Sequence, residues 1–284
     1  MSTQILDGKQ LATILKEKIA AEVTSRNKKS LKKPGLAVVL IGNNPASAIY
    51  VNHKTKACEQ VGFYSITKQL PSSTTEMQLL EVIHELNHNP DIHGILVQLP
   101  LPEHIDVQNI IEAIDPKKDV DGFHPYNLGR LAQGKPLLRP CTPFGVIHLL
   151  EHAAIHLTGL NAVIVGSSNI VGRPMALELL IKKCTVTVCH SKTKNLSHCI
   201  KDADLLVAAI GRPGVVNSEW IKPGAIVVDV GINRLENNKI VGDIDFQTAS
   251  QKTSWITPVP GGVGPMTVAT LLQNTLFAAK NFTE

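Results

Sequence analysis

An α/β fold in two domains is predicted from this chain by three observations. Short β-branched apolar runs recur at the spacing of an open parallel sheet, at residues 162–165, 185–189, 204–210 and 225–230. A separate β–α–β–α–β succession of signals fills residues 35–99 ahead of them. At 284 residues the chain is long enough to build two cores.

The stretch that organises the second domain runs from residue 162 to 174, Ala-Val-Ile-Val-Gly-Ser-Ser-Asn-Ile-Val-Gly-Arg-Pro. Its β-branched half suits a parallel strand buried on both faces. Gly166 permits a tight turn, and residues 170–182 read as a helix. A strand feeding a helix in this way aims unpaired helix N–H groups at whatever sits above the strand end, commonly a phosphate. Only Gly166 stands where the G-x-G-x-x-G fingerprint wants glycine, with Ser168 and Val171 at its other two positions, so an ordinary strand–helix turn is the alternative. The strand at 185–189 then ends in His190-Ser191-Lys192-Thr193. A NAD-binding domain usually carries an acid near this place for the ribose 2′-hydroxyl. A hydroxyl and a cation there favour a 2′-phosphate, hence a Rossmann-type domain for NADP.

Taken in order, Asp7 and Gln10 read as a capping box, and Leu11, Ile14, Leu15, Ile19 and Val23 keep helical spacing to about Arg26. A basic linker leads to a buried strand at 35–42. A helix follows from about Ala46 to Val61, closed by Gly62. The next elements are a strand at 63–70, a helix capped by Ser73 and Glu76, and a strand at 93–99 stopped by Pro100 and Pro102. Ser47, Tyr50 and Lys54 fall on one helical face, which could equally be a solvated one. Gln98 is a lone polar residue near the end of an apolar strand, where open α/β sheets bind ligands. Residues 115–125 form a charged loop, and Pro140-Cys-Thr-Pro143 starts the helix into the second domain. Thr257-Pro-Val-Pro-Gly-Gly-Val-Gly-Pro-Met-Thr267 is too rich in proline and glycine for a helix or a central strand, so the last helix is expected from Val268 to about Lys280.

Composition narrows the function classes. The chain is 43% hydrophobic and 18% charged with a net charge of +4, and its one dense basic cluster, at Lys28, Lys29, Lys32 and Lys33, reads as a solvated linker. Nucleic-acid binding is not indicated, whereas a small anionic substrate suits the charge. No apolar run reaches membrane-spanning length, and the N-terminus lacks the pattern of a signal peptide. Five cysteines without C-x-x-C spacing predict neither a disulfide framework nor a zinc ribbon, which points to the cytoplasm. His148, His152 and His156 repeat every four residues, but Glu151 is not placed as in H-E-x-x-H, and no metal is expected.

Six segments together carry a family resemblance. They are Tyr50-Val-x-x-Lys54, Gly94-Ile-Leu-Val-Gln-Leu-Pro-Leu-Pro102, Lys118-Asp-Val-Asp-Gly-Phe-His-Pro125, Pro140-Cys-Thr-Pro143, Val188-x-His-Ser191 and Pro258-Val-Pro-Gly-Gly-Val-Gly-Pro-Met-Thr267. In content and order the chain resembles the bifunctional methylenetetrahydrofolate dehydrogenase/cyclohydrolases over nearly its whole length. The resemblance implies two α/β domains flanking a cleft. Residues 1–138 are then the folate-binding catalytic domain, with helix 266–284 packing back on it, and 139–265 the NADP-binding domain. It implies hydride transfer from 5,10-methylenetetrahydrofolate to NADP, then hydrolysis of the methenyl product to 10-formyltetrahydrofolate, in one-carbon metabolism and purine biosynthesis.

By resemblance, Lys54 is the central catalytic group, Tyr50 stacks on the folate, Gln98 hydrogen-bonds Lys54, and Asp121 holds the pterin. Val51, Asn52, His53, Val97, Leu99, Pro260, Gly261, Gly262, Val263 and Gly264 complete the expected folate site. Gly166, Ser167, Ser168, Ser191 and Ile232 are expected to contact the cofactor, and a homodimer through the cofactor domain is implied. Many members have an arginine where Ser167 stands, which shifts recognition of the 2′-phosphate towards Ser191 and Lys192. The readings left open are a dehydrogenase alone, with NAD; a dehydrogenase of small non-folate acids; and a non-catalytic folate or nucleotide sensor.

Overall fold

The computed structural model describes residues 3–282, so the outermost residues of the expected domain ranges lie outside the described residues. The chain forms two compact units. One takes Thr13–Cys141 and the residues from Val268 onward; the other takes the residues up to Ala12 and Thr142–Thr267.

Strand β1 (Gln4–Ile5) and helix α1 (Gly8–Lys28) open the chain. Asp7 Oδ1 accepts from the Gln10 amide at 2.9 Å, as the capping residues predict. Next come β2 (Gly35–Ile41), α2 (Pro45–Val61), β3 (Tyr64–Leu70), α3 (Glu76–His88) and β4 (Gly94–Val97). The short helices α4 (Val107–Ala113) and α5 (Pro125–Ala132) follow. The three strands form a parallel sheet in the order β3-β2-β4.

Every residue of β2 is buried, because both faces of the sheet are covered. Leu36, Val38 and Leu40 pack on one face with Ile19 and Val23 of α1 and with Leu271, Leu272 and Leu276 near the C-terminus. Ala37, Val39 and Ile41 pack on the other with Leu79, Ile83 and Leu86 of α3. The period-two alternation of a strand thus divides one apolar run between two cores.

Two details differ from the expectation. The cap of α3 is Thr75 with Gln78, not Ser73 with Glu76: Thr75 Oγ1 accepts from the Gln78 amide, and the Gln78 side chain accepts from the Thr75 amide at 2.9 Å. Glu76 instead accepts from the Asp106 amide at 2.7 Å and from Asn109 Nδ2 at 2.9 Å, tying α4 to α3. The strand expected to reach Leu99 ends at Val97, and a cis Leu99–Pro100 peptide turns the chain away.

The other unit holds α6 (Cys141–His152), β5 (Asn161–Val165), α7 (Gly172–Ile181), β6 (Thr185–Cys189), α8 (Leu196–Lys201), β7 (Leu205–Ala208) and β8 (Ile226–Asp229). A hairpin, β9 (Asn233–Arg234) with β10 (Ile240–Val241), then α9 (Phe246–Ala249) and β11 (Trp255–Ile256) complete it; α10 (Val263–Asn281) begins here and from Val268 on belongs to the first unit. The sheet is six-stranded and parallel in the order β1-β11-β8-β7-β5-β6. Its β1 corrects the expected grouping of the N-terminus with residues up to 138. The Gln4 amide donates to the Ser254 carbonyl and the Leu6 amide to that of Ile256, each at 2.9 Å, so the first strand joins the second sheet.

Helix α7 starts at Gly172 rather than Ile170, and α10 at Val263 rather than Val268. Pro265 falls in the first turn of α10, where a missing N–H costs no hydrogen bond. Proline density there marks a helix start, not a continuing loop.

Candidate active site

Helix α2 and the end of β4 place the first part of the site. Lys54 is 9% exposed, and its Nζ donates to Gln98 Oε1 at 3.0 Å. Gln98 is itself fixed: its backbone amide donates to the Val39 carbonyl at 2.9 Å and its Nε2 to the Leu99 carbonyl at 2.8 Å. With the NH₂ group committed, the amide oxygen must face the lysine. On the same helix Ser47 and Val51 are buried, Asn52 and His53 are exposed, and Tyr50 is 39% exposed with its phenol raised by partial burial. The face carrying Ser47 and Lys54 is therefore buried, not solvated.

The second part is the loop after Asp115, built around a residue that the sequence did not single out. Asp119 is 2% exposed. Its Oδ1 accepts from the amides of Gly122 and Phe123 at 3.2 Å; its Oδ2 accepts from the His124 amide at 2.9 Å and from Asn127 Nδ2 at 2.8 Å. Gly122 has φ +78° and sits so close to Pro140 that an added Cβ would lie 2.4 Å from its nitrogen. Lys118 Nζ donates to the carbonyls of Leu86, Asn87 and Asn89, capping the end of α3. Asn274 on α10 donates to the carbonyls of Val120 and Arg139 at 2.8 Å each.

This frame presents Asp121 to Lys54. Burial pushes the Asp121 carboxyl up to about 6; the Lys54 charge pulls it down and the neighbouring Asp119 pushes it up. Val97, Leu99 and Phe123 line a small apolar hollow with both aspartates, which is the physical source of that burial. Cys141 donates to the Val120 carbonyl at 3.1 Å, and burial raises its thiol well above the usual range.

In the other unit, Gly166 has φ +126°, and a Cβ there would lie 2.1 Å from the Ala209 carbonyl oxygen. A Cβ on Gly172 would lie 2.0 Å from the Gly166 oxygen. Gly172 thus provides the close helix–strand approach of the fingerprint one residue later than its spacing demands, which is why motif matching missed it. Ser168 Oγ accepts from the amides of Val171 and Gly172 at 3.2 and 3.3 Å, capping α7. Ser167 is half-buried and Ser191 exposed. The turn after β6 closes by His190 and Lys192 amide bonds to Thr193 Oγ1 and His190 Nδ1, with no acid between residues 190 and 194. This glycine-tight turn, followed by Ser191 and Lys192, fits a phosphorylated dinucleotide.

Pro260 is exposed, and the Gly261 carbonyl accepts from the Lys9 amide at 2.9 Å. Gly262 and Val263 are buried. Gly264 faces Ile232, with an added Cβ 3.5 Å from Ile232 Cδ1, and Ile232 is 46% exposed. An expected folate residue and an expected cofactor residue thus meet on one surface. His148 and His152 lie on α6 while His156 falls beyond its end, and among the described residues no group of three or more His, Cys, Asp or Glu could hold a metal ion.

Comparison with known proteins decides the family. Residues 6–121 match the catalytic domain, and residues 140–283 the NAD(P)-binding domain, of tetrahydrofolate dehydrogenase/cyclohydrolase. The chain belongs to this family. It is 52% identical to the bifunctional FolD methylenetetrahydrofolate dehydrogenase/cyclohydrolase of Campylobacter jejuni, covering 99% of each chain with a TM-score of 0.97. It is 36% identical to the Trypanosoma brucei methylenetetrahydrofolate dehydrogenase-cyclohydrolase, solved with NADP and an inhibitor, over 99% of this chain and 98% of that one, with a TM-score of 0.95. The NAD-dependent methylenetetrahydrofolate dehydrogenase of Saccharomyces cerevisiae shares 22% identity over 99% of this chain and 98% of that one, with a TM-score of 0.81, a likeness of fold alone.

Proposed function

We propose that the chain oxidises 5,10-methylenetetrahydrofolate to the methenyl cation with NADP and hydrolyses that cation to 10-formyltetrahydrofolate. The observation that carries the reading is the buried Lys54, anchored by Gln98 and close enough to Asp121 to pull its carboxyl down. Asp121 accepts from the pterin ring N–H donors and fixes the folate in plane, and Tyr50 stacks against it. Val51, Asn52, His53, Val97 and Leu99 line the folate site beside them.

Bound NADP supplies the hydride acceptor; Gly166, Ser167, Ser168, Ser191 and Ile232 hold it. The oxidation asks chiefly for alignment, because the methylene carbon loses hydride without a protein base. Hydrolysis asks for proton transfer. Water adds to the methenyl carbon, Lys54 takes one of its protons and returns it to the ring nitrogen, and the carbon–nitrogen bond breaks as the remaining hydroxyl proton passes to solvent, leaving a formyl group on the other nitrogen.

The product is a formyl donor, which suits a place in purine biosynthesis. All five cysteines are free thiols, which supports action in the reducing cytoplasm. Apolar Leu235 and Ile240, 39% and 40% exposed on the β9–β10 hairpin, support a homodimer through this unit, which light scattering tests. Binding of neither nucleic acid nor membrane belongs to the reading; among the described residues no helix is long and apolar enough to cross a membrane.

Absorbance-monitored turnover of methylenetetrahydrofolate with NADP and NAD in parallel, and of methenyltetrahydrofolate without nucleotide, tests the whole reading. Both reactions are expected, with NADP preferred. Failure of either one removes that half of the function.

A further inference from the structure

Two buried carboxylates that take no part in the chemistry above shape the carboxyl ends of β7 and β8. Asp243 is fully buried. Its Oδ2 accepts from the Ile210 amide at 2.7 Å and the Gly211 amide at 3.0 Å, and its Oδ1 accepts from Asn233 Nδ2 at 2.9 Å. Asp229, 4% exposed, holds Asp243 in turn. Asp229 Oδ1 accepts from the amides of Gly231 and Asp243 at 2.9 and 3.0 Å, and Oδ2 from the Ile244 amide at 2.8 Å.

The packing leaves no slack. A Cβ on Gly231 would lie 2.2 Å from Asp243 Oδ1, and one on Gly242 would lie 2.0 Å from Asp229 Oδ2. Asp243 therefore ties the loop after β7 to the loop after β8 from beneath, while Gly211 and Ile232 on those loops stay exposed. In an open α/β sheet these strand ends are where a ligand binds.

We propose that Asp243 is a positioning residue for the nicotinamide cofactor, setting the two loops that receive it without touching it. The proposal rests on the dehydrogenase reading and names a residue outside the sites assigned above. A carboxylate is required because all three of its partners are donors. An asparagine keeps only one oxygen among them, so that either a backbone amide loses its acceptor or Asn233 must turn its own oxygen inward.

The test uses the full chain with Asp243→Asn, with Asn233→Ala as the milder variant. Three quantities are read: NADP affinity by equilibrium titration, the NADP KM and kcat of the oxidation, and cyclohydrolase turnover without nucleotide. Asp243→Asn is expected to weaken NADP about tenfold or more, by the cost of an unpaired buried donor, and Asn233→Ala about threefold. The change falls on KM, and the cyclohydrolase, which needs no nucleotide, stays within about twofold of wild type. An NADP affinity unchanged in folded Asp243→Asn overturns the proposal, as does a parallel fall of both activities. Should Asp243→Asn not fold, unchanged affinity in Asn233→Ala overturns it. A wild type that binds NADP but does not oxidise methylenetetrahydrofolate sinks the functional reading instead, and the affinity comparison still decides the role of Asp243.

Discussion

Lys54 Nζ donates to Gln98 Oε1 at 3.0 Å, and Gln98 cannot turn away, because its own Nε2 is held by the Leu99 carbonyl. The lysine is thereby fixed in place yet keeps N–H groups for the substrate. Its charge also acts at a second point, drawing down the Asp121 carboxyl. A substitution at Lys54 therefore has two separable consequences.

Lys54→Gln keeps hydrogen bonding but cannot shuttle a proton. Cyclohydrolase turnover should fall by about 10² to 10⁴-fold, the usual worth of general acid–base help. NADP-dependent oxidation should remain measurable, so that methenyltetrahydrofolate accumulates in an absorbance time course. With the positive charge gone, the pH below which folate binding is lost should move upward. Hydrolysis at the wild-type rate would remove Lys54 from the proton transfers.

Asp121 carries a pH signature. Burial lifts its carboxyl from the ordinary 3.8 to about 6. Between those values the folded chain holds a proton that the unfolded chain has released. The group therefore lowers stability progressively as pH rises from about 4 to 6, and the cost persists above. Asp121→Asn should raise stability at pH 7.5 by about 1–3 kcal/mol and leave it unchanged near pH 3.5. It should also damage both activities, since the amide no longer accepts from two donors at once. Equal stability at pH 7.5 would show that the carboxyl is not strained by burial.

Asp119 holds the loop rather than the ligand. Asp119→Ala removes the acceptor shared by four donors, leaving the Phe123 and His124 amides unpaired while the Gly122 amide and Asn127 Nδ2 keep carbonyl partners, and should cost about 2–4 kcal/mol by urea denaturation. Both folate activities should fall. A loss below 1 kcal/mol would mean that the loop is held by other contacts.

Gly172→Ala should weaken NADP binding at least tenfold, because the new methyl would sit 2.0 Å from the Gly166 oxygen and force the turn open. Cyclohydrolase turnover without nucleotide is the control and should persist. An NADP affinity within twofold of wild type would show that the turn tolerates widening.

Ser191→Asp should narrow or invert the preference for NADP, as a carboxylate beside Lys192 repels a 2′-phosphate. The ratio of kcat/KM for the two cofactors measures it, and a wild type that favours NAD would refute the reading of this turn.

What the sequence revealed depended on whether a residue's partners were local. β2 was legible because seven successive apolar residues have few homes other than a strand buried on both faces. β1 was not, since two residues carry no periodicity and their partner lies about 250 positions away at Trp255 and Ile256. Gln98 stood out as a lone polar residue near the end of an apolar strand, and Lys54 by sharing a helical face with Ser47 and Tyr50. Asp121 was reached only through the family resemblance. Asp119 escaped notice because three aspartates in one loop look alike until the backbone shows which turns inward. Gly172 was missed because its role depends on nearness to Gly166, not on the fingerprint spacing. Asp229 and Asp243 drew no notice, since their donors come from three separate segments, residues 210–211, 231–233 and 243–244.

The two bonds from Asn274 have a consequence for biosynthesis. They close the folate-binding unit with a residue 154 positions after Val120. That unit joins Thr13–Cys141 to a segment beginning at Val268, whereas the cofactor-binding unit is complete once Thr267 has been made. Synthesis from the N-terminus thus completes the cofactor-binding unit before it reaches Asn274, although the three-stranded sheet is made first. A chain cut after Thr267 would keep every segment of the cofactor-binding unit and leave the Val120 and Arg139 carbonyls without their Asn274 donor.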